Sequence, residues 1–148
     1  MTEQASPSRK IRPEFRNINA FNDLPGYRWP LAALVSGMHR ASGAILFLLM
    51  PFIIWMFDNS ISSEISFAKF KDAFDVGMLG LPGVLWKLIA LALIWAYLQH
   101  FIAGIRHLWM DTHHDAVSKE FGKSSAAFTL AASIGLTLVL GAKLFGLY

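Results

Sequence analysis

An all-α membrane protein with three transmembrane helices is the fold class this chain predicts, on three observations. Segments Leu31–Phe57, Val84–Met110 and Ala126–Leu147 each exceed the about 20 residues needed to cross a hydrocarbon core about 30 Å thick. The composition is 55% apolar and 16% charged, with a mean hydropathy of +0.45, well to the apolar side of an ordinary soluble domain. Ala44–Phe57 contains no polar side chain beyond an indole, whereas a soluble helix alternates polar and apolar faces.

The elements follow in order. Residues 1–30 read as an irregular N-terminal arm on the cytoplasmic or matrix side, punctuated by Pro7, Pro13, Pro25, Gly26 and Pro30. Residues 31–148 read as one three-helix membrane-anchor domain. Pro30 suits the first turn of the first span, and Pro51 should kink that span in its outer half. Residues 58–82 form an outer loop in which Ser66–Asp75 predicts a short interfacial helix, because Phe67, Phe70 and Phe74 share a face. Gly80, Pro82 and Gly83 break structure before the second span. The second loop, Asp111–Lys123, is short and charged. The third span reads as a packing helix: Ala131 with Gly135, and Thr137 with Gly141, are small-xxx-small pairs. Lys143 can snorkel to the outer interface.

Charge distribution sets the topology. Arg9, Lys10, Arg12, Arg16 and Arg28 precede the first span, Arg106 ends the second, and Lys119 and Lys123 follow it. The outer loop instead sets Lys69 and Lys71 against Asp58, Glu64, Asp72 and Asp75. Positive-inside counting puts the N-terminus and the second loop in the cytoplasm or matrix. The net charge of +3 therefore orients the helices and does not imply nucleic acid. The opening residues read as neither a signal peptide nor a mitochondrial presequence, so a bacterial inner membrane is preferred to a mitochondrial one. With no cysteine, disulfides, thiolate metal sites and covalently attached c-type haem are excluded.

Two polar clusters interrupt the apolar spans. In the second, His100, Gly104, His107 and Asp111 fall at i, i+4, i+7 and i+11, on one helical face. Ionisable groups at membrane depth must meet a polar partner. Gly104 removes a side chain where something flat can lie, and His100, roughly 15 Å from the inner end, is placed to bind haem iron. Any haem would be held non-covalently. In the first span, Ser36, Arg40 and Gly43 define one face with His39 beside it, and Arg40 lies roughly 13 Å from the inner end. A guanidinium there can clamp a carboxylate or a quinone carbonyl, and Ser36 can donate to the same oxygen. Arg106 points about 100° away from His107, where lipid phosphate, a partner protein or a propionate is open to it. His113 and His114 lie in the loop. A low-spin b haem needs two ligands: either His39 pairs with His100 within this chain, or another chain supplies the second.

The pattern Ser36-x-x-His39-Arg40-x-Ser42-Gly43, then His100-x-x-x-Gly104-Ile-Arg106-His107-x-x-x-Asp111, resembles the cytochrome b membrane-anchor subunit of succinate dehydrogenase. The likeness runs from about residue 12, through Arg12-Pro13, to the C-terminus. The arm departs from the mitochondrial-type Ser-Pro-His motif, with Arg16-Asn-Ile-Asn-Ala-Phe in its place. The resemblance implies that the three spans form part of a heteromeric helix bundle with a second small anchor subunit. That pair would hold an iron–sulfur subunit and a flavoprotein subunit on the inner face. It implies haem b, with His100 as an axial iron ligand and the partner anchor supplying the other. His39 and Arg40 would lie by the haem propionates, Ser36 and Arg40 would line the ubiquinone site, and His107 would neighbour the haem. Asp111 would serve as an inner-face proton or quinone-site residue. The same resemblance admits the anchor of a fumarate reductase or another quinone oxidoreductase. A small transport or proton-relay bundle is a poorer fit, because the outer half of the first span and most of Val84–Ala96 lack ionisable groups.

Overall fold

A computed structural model describes residues 19–113 and 117–148; Arg9, Lys10, Arg12, Arg16 and His114 lie outside them. The described residues form six helices and one minimal hairpin, and three of the helices are long and apolar enough to cross a membrane. The chain is an all-α integral membrane protein.

The arm carries one turn of helix, α1 (Ala20–Asp23), whose N-terminal amides are capped by the Asn19 side chain. The first apolar segment forms two helices, α2 (Leu31–Leu48) and α3 (Met50–Ile61). They part at Leu49 (φ −92°, ψ 7°). Pro51 is the physical cause: it offers no N–H to the carbonyl of Phe47, and its ring crowds that carbonyl. The kink is where the proline predicted it.

α4 (Glu64–Asp75) starts two residues before the expected interfacial helix because Ser63 and Ser66 form a reciprocal capping box. Ser63 Oγ accepts from the Ser66 amide at 3.1 Å, and Ser66 Oγ accepts from the Ser63 amide at 2.9 Å. Phe67, Phe70 and Phe74 do share a face, with successive ring centroids 6.0 and 5.2 Å apart.

A hairpin absent from the sequence reading follows: β1 (Gly77–Met78) pairs antiparallel with β2 (Leu81–Pro82). Its turn residues Leu79 (φ 54°) and Gly80 (φ 76°) are both left-handed, the primed geometry that matches strand twist. Trp86 Nε1 donates to the Met78 carbonyl at 3.1 Å, and its ring lies 5.3 Å from Phe52, tying the hairpin to both neighbouring spans.

The second span, α5 (Gly83–Thr112), runs 30 residues unbroken, about 45 Å. The third, α6 (Lys119–Leu144), begins well before its apolar run because Ser118 caps it, accepting from the Phe121 amide at 3.1 Å. α5 packs on both α2 and α6, which also touch each other. One residue from each helix, Val35, Ala103 and Ala126, forms a buried core cluster.

The α5–α6 seam is small and polar: Ala126, Thr129, Ser133 and Gly141 are buried. A methyl on Gly141 would meet Leu91 Cδ1 at 2.7 Å, so that glycine sits at a close approach. Ala131 is exposed and a methyl on Gly135 would meet nothing, so the first small-xxx-small pair faces outward within this chain. Large apolar side chains such as Phe47, Phe128 and Leu138 also point outward, as lipid or a partner helix requires.

Candidate functional site

α2 and α5 run antiparallel, and each carries a His-x-x-x-Gly step: His39 with Gly43, and His100 with Gly104. Where the helices cross, each imidazole lies against the glycine of the other. A methyl on Gly43 would stand 2.8 Å from His100 Cε1, and one on Gly104 would stand 3.5 Å from His39 Nε2. The two rings stack, with centroids 4.2 Å apart and planes 8° from parallel. His107, two turns along α5 from His100, closes on the other side of His39 at 5.1 Å and 50°.

The proton on His100 can be placed by a hydrogen bond. Its Nδ1 lies 3.0 Å from the backbone carbonyl of His39. A carbonyl only accepts, so Nδ1 carries the hydrogen and donates. In the neutral ring Nε2 then keeps its lone pair. Buried Ser42 donates its hydroxyl to the same carbonyl at 2.9 Å. The sequence pattern contained Ser42 but gave it no task; here it helps fix the oxygen that orients His100.

The face-to-face stack leaves no gap for a macrocycle between His39 and His100. The pair is not arranged as two ligands of one intervening iron. No group of three or more His, Cys, Asp or Glu side chains among the described residues could hold a bare metal ion.

Ser36 is half-buried and Arg40 is exposed, one turn apart on α2. The one ion pair among the described residues joins Lys87 to Asp75 at 3.7 Å, near the start of α5. The Arg40 charge is therefore uncompensated by any described acid. Asp111 is exposed in the last turn of α5, away from the histidine stack. His113 stacks on Trp109 at 4.0 Å.

Two polar residues are buried at the other seam: Arg106, whose partner the sequence leaves open, and Gln99, which the sequence reading missed. Arg106, only 8% exposed, turns toward α6. Its Nε donates to Ser125 Oγ at 2.9 Å and its Nη2 to the Gly122 carbonyl at 3.4 Å. Gln99 is fully buried; its Oε1 accepts from Ser133 Oγ at 2.8 Å, while its Nε2 has no partner. An amide in the middle of an apolar run was the available signal for Gln99.

Comparison with known proteins gives a consistent answer. The profile of the succinate dehydrogenase/fumarate reductase transmembrane subunit family matches residues 9–140. The chain is 36% identical over 89 residues to the succinate dehydrogenase cytochrome b556 subunit of Coxiella burnetii, covering 60% of this chain and 66% of that one. It is 32% identical over 116 residues to the protein of the same name from Paracoccus denitrificans, covering 78% and 83% respectively.

Proposed function

Because the chain belongs to the succinate dehydrogenase/fumarate reductase transmembrane subunit family, we propose that it is the haem b- and quinone-binding anchor of a succinate dehydrogenase, passing electrons from succinate oxidation to ubiquinone. The observation that carries this reading is the orientation of His100. Its Nδ1 lies 3.0 Å from the His39 carbonyl, and Gly43 of the facing helix leaves room for the Cε1 edge of its ring. This supports an axial haem histidine, whose ring is held through one nitrogen and binds iron through the other.

The remaining roles follow from placement. His100 is the iron ligand of this chain, and a second small anchor subunit supplies the other, since His39 is stacked on His100. His39 stacks on the ligand, and His107 lies against His39. Arg40, exposed and uncompensated, is available to a propionate or to a quinone oxygen. Ser36, one turn below, can donate to the same quinone oxygen. Preorganised donors of this kind stabilise the negative charge that builds on that oxygen as it is reduced. Haem, when bound, supplies a one-electron store beside the quinone. The iron–sulfur and flavoprotein subunits, which carry the dicarboxylate chemistry, dock on the cytoplasmic or matrix face with residues 1–30, and residues 31–148 form the anchor domain.

The test is a dithionite-reduced minus oxidised visible spectrum of the purified complex, for wild type and His100→Ala. A b-type α-band that is lost or shifted in the variant is the expected result. An unchanged band in His100→Ala overturns the ligand assignment.

A further inference from the structure

Two cavities meet at the side chain of Arg106. One, about 810 Å³, is a groove between the inner halves of α5 and α6, walled by Ile102, Ile105, Trp109, Phe128 and Leu136. The other, about 700 Å³, opens where α2, α5 and α6 end on the inner side, with Met110, Lys119 and Lys123 on its walls. Arg106 lines both. Ser36, His39, Arg40, His100 and His107 line neither, so this place is separate from the haem and quinone reading and does not rest on it.

The guanidinium is nearly buried, yet its two hydrogen-bond partners, Ser125 and the Gly122 carbonyl, are neutral. No acid among the described residues pairs with it. Asp111 and Glu120, the described acids at these helix ends, are exposed and line neither cavity. A buried cation without a counter-charge is costly, and an anion brought to it recovers part of that cost. Lys119 and Lys123, also exposed and unpaired among the described residues, add two charges at the mouth.

We propose that the α5–α6 groove and its basic mouth bind one anionic phospholipid of the inner leaflet. The phosphate lies against Arg106, Lys119 and Lys123, and an acyl chain runs along the groove. This occupant is favoured over a neutral quinone or a zwitterionic lipid, because three cations with no acid partner among the described residues adjoin an apolar slot at the level where inner-leaflet phosphates lie.

The experiment uses the whole complex, delipidated in neutral detergent. Native mass spectrometry would count bound phosphatidylglycerol against phosphatidylcholine of matched acyl chains. One phosphatidylglycerol held preferentially is expected, with affinity falling about fivefold for each of Lys119→Gln and Lys123→Gln. Ala132→Phe, which fills the groove and keeps every charge, should release the lipid as well. A benzoylphenylalanine replacing Phe128 should crosslink to an acyl chain. Equal retention of the two lipids, or retention unchanged in these variants, overturns the proposal. So does a Phe128-position crosslink to another subunit, which would put a partner helix in the groove. The haem band, expected to be unchanged in all of these variants, reports separately on His100.

Discussion

The imidazoles of His39 and His100 stack 4.2 Å apart and 8° from parallel, and each rests against the glycine of the opposite helix. The contact is reciprocal but unequal. A methyl on Gly43 would stand 2.8 Å from His100 Cε1, closer than real methyl contacts, whereas one on Gly104 would make an ordinary contact 3.5 Å from His39 Nε2. Gly43→Ala should therefore displace the His100 ring, at an overpacking cost of about 1–3 kcal/mol. Gly104→Ala should be tolerated. The b-type α-band per assembled complex measures the difference: loss or shift in Gly43→Ala, and near wild-type intensity in Gly104→Ala. The reverse order would mean that His100 does not hold iron in this orientation.

Arg40 is exposed on α2 and has no described acid to neutralise it, so it is free for an incoming oxygen. Arg40→Ala should lower quinone reduction by about 100-fold, the typical loss for one preorganised donor to a developing oxyanion. Complex assembly and succinate oxidation by a soluble acceptor should survive. Arg40→Lys, which keeps the charge but not the planar fork, should recover part of the rate. Wild-type quinone turnover in Arg40→Ala would remove it from the quinone site.

The spans and the Pro51 break were legible because lipid imposes length and proline removes a hydrogen bond wherever it stands. The two histidines were legible as candidates, but their stacking was not: it depends on where α2 crosses α5, which Val35 and Ala103 decide through packing. The signal was present as the His-x-x-x-Gly step repeated in two antiparallel spans. The partner of Arg106 stayed open for a different reason. Its angle from His107 leaves several faces open, and the choice is made by Ser125 and Gly122, on a helix that starts at Lys119 within what reads as a loop. Ala131 and Gly135 match a packing motif, yet they face outward because Thr129 and Ser133 occupy the seam. Periodicity finds faces, and only the neighbouring helix says which one is used.

Gln99 and Ser133 test how that seam is held. The Ser133 hydroxyl satisfies Gln99 Oε1, and Gln99 Nε2 has no partner. Ser133→Ala leaves both ends of a buried amide unpaired and should destabilise by about 1 kcal/mol. Gln99→Leu removes the orphan donor at similar volume and should be neutral or stabilising. In the Gln99→Leu background, Ser133→Ala should then cost almost nothing. Thermal melting of the assembled complex for the three variants checks this cycle. Additive losses would mean that the two side chains act independently.

The outer hairpin offers a test that should leave the histidine stack untouched. Gly77 holds φ 123°, and a methyl there would run into the Leu81 carbonyl, so Gly77→Ala has neither the backbone nor the space it needs. It should destabilise the hairpin and, through the Trp86 bond to Met78, loosen the start of α5. Leu79 is the opposite case: a leucine held at φ 54°, where glycine is unstrained. Leu79→Gly should relieve about 1 kcal/mol of backbone strain, though the freer unfolded chain offsets part of that gain. Amide hydrogen exchange over residues 76–90 should rise in Gly77→Ala and hold steady or fall in Leu79→Gly, with the α-band unchanged in both. Faster exchange in Leu79→Gly would show that its side chain contributes more by packing than its backbone loses by strain.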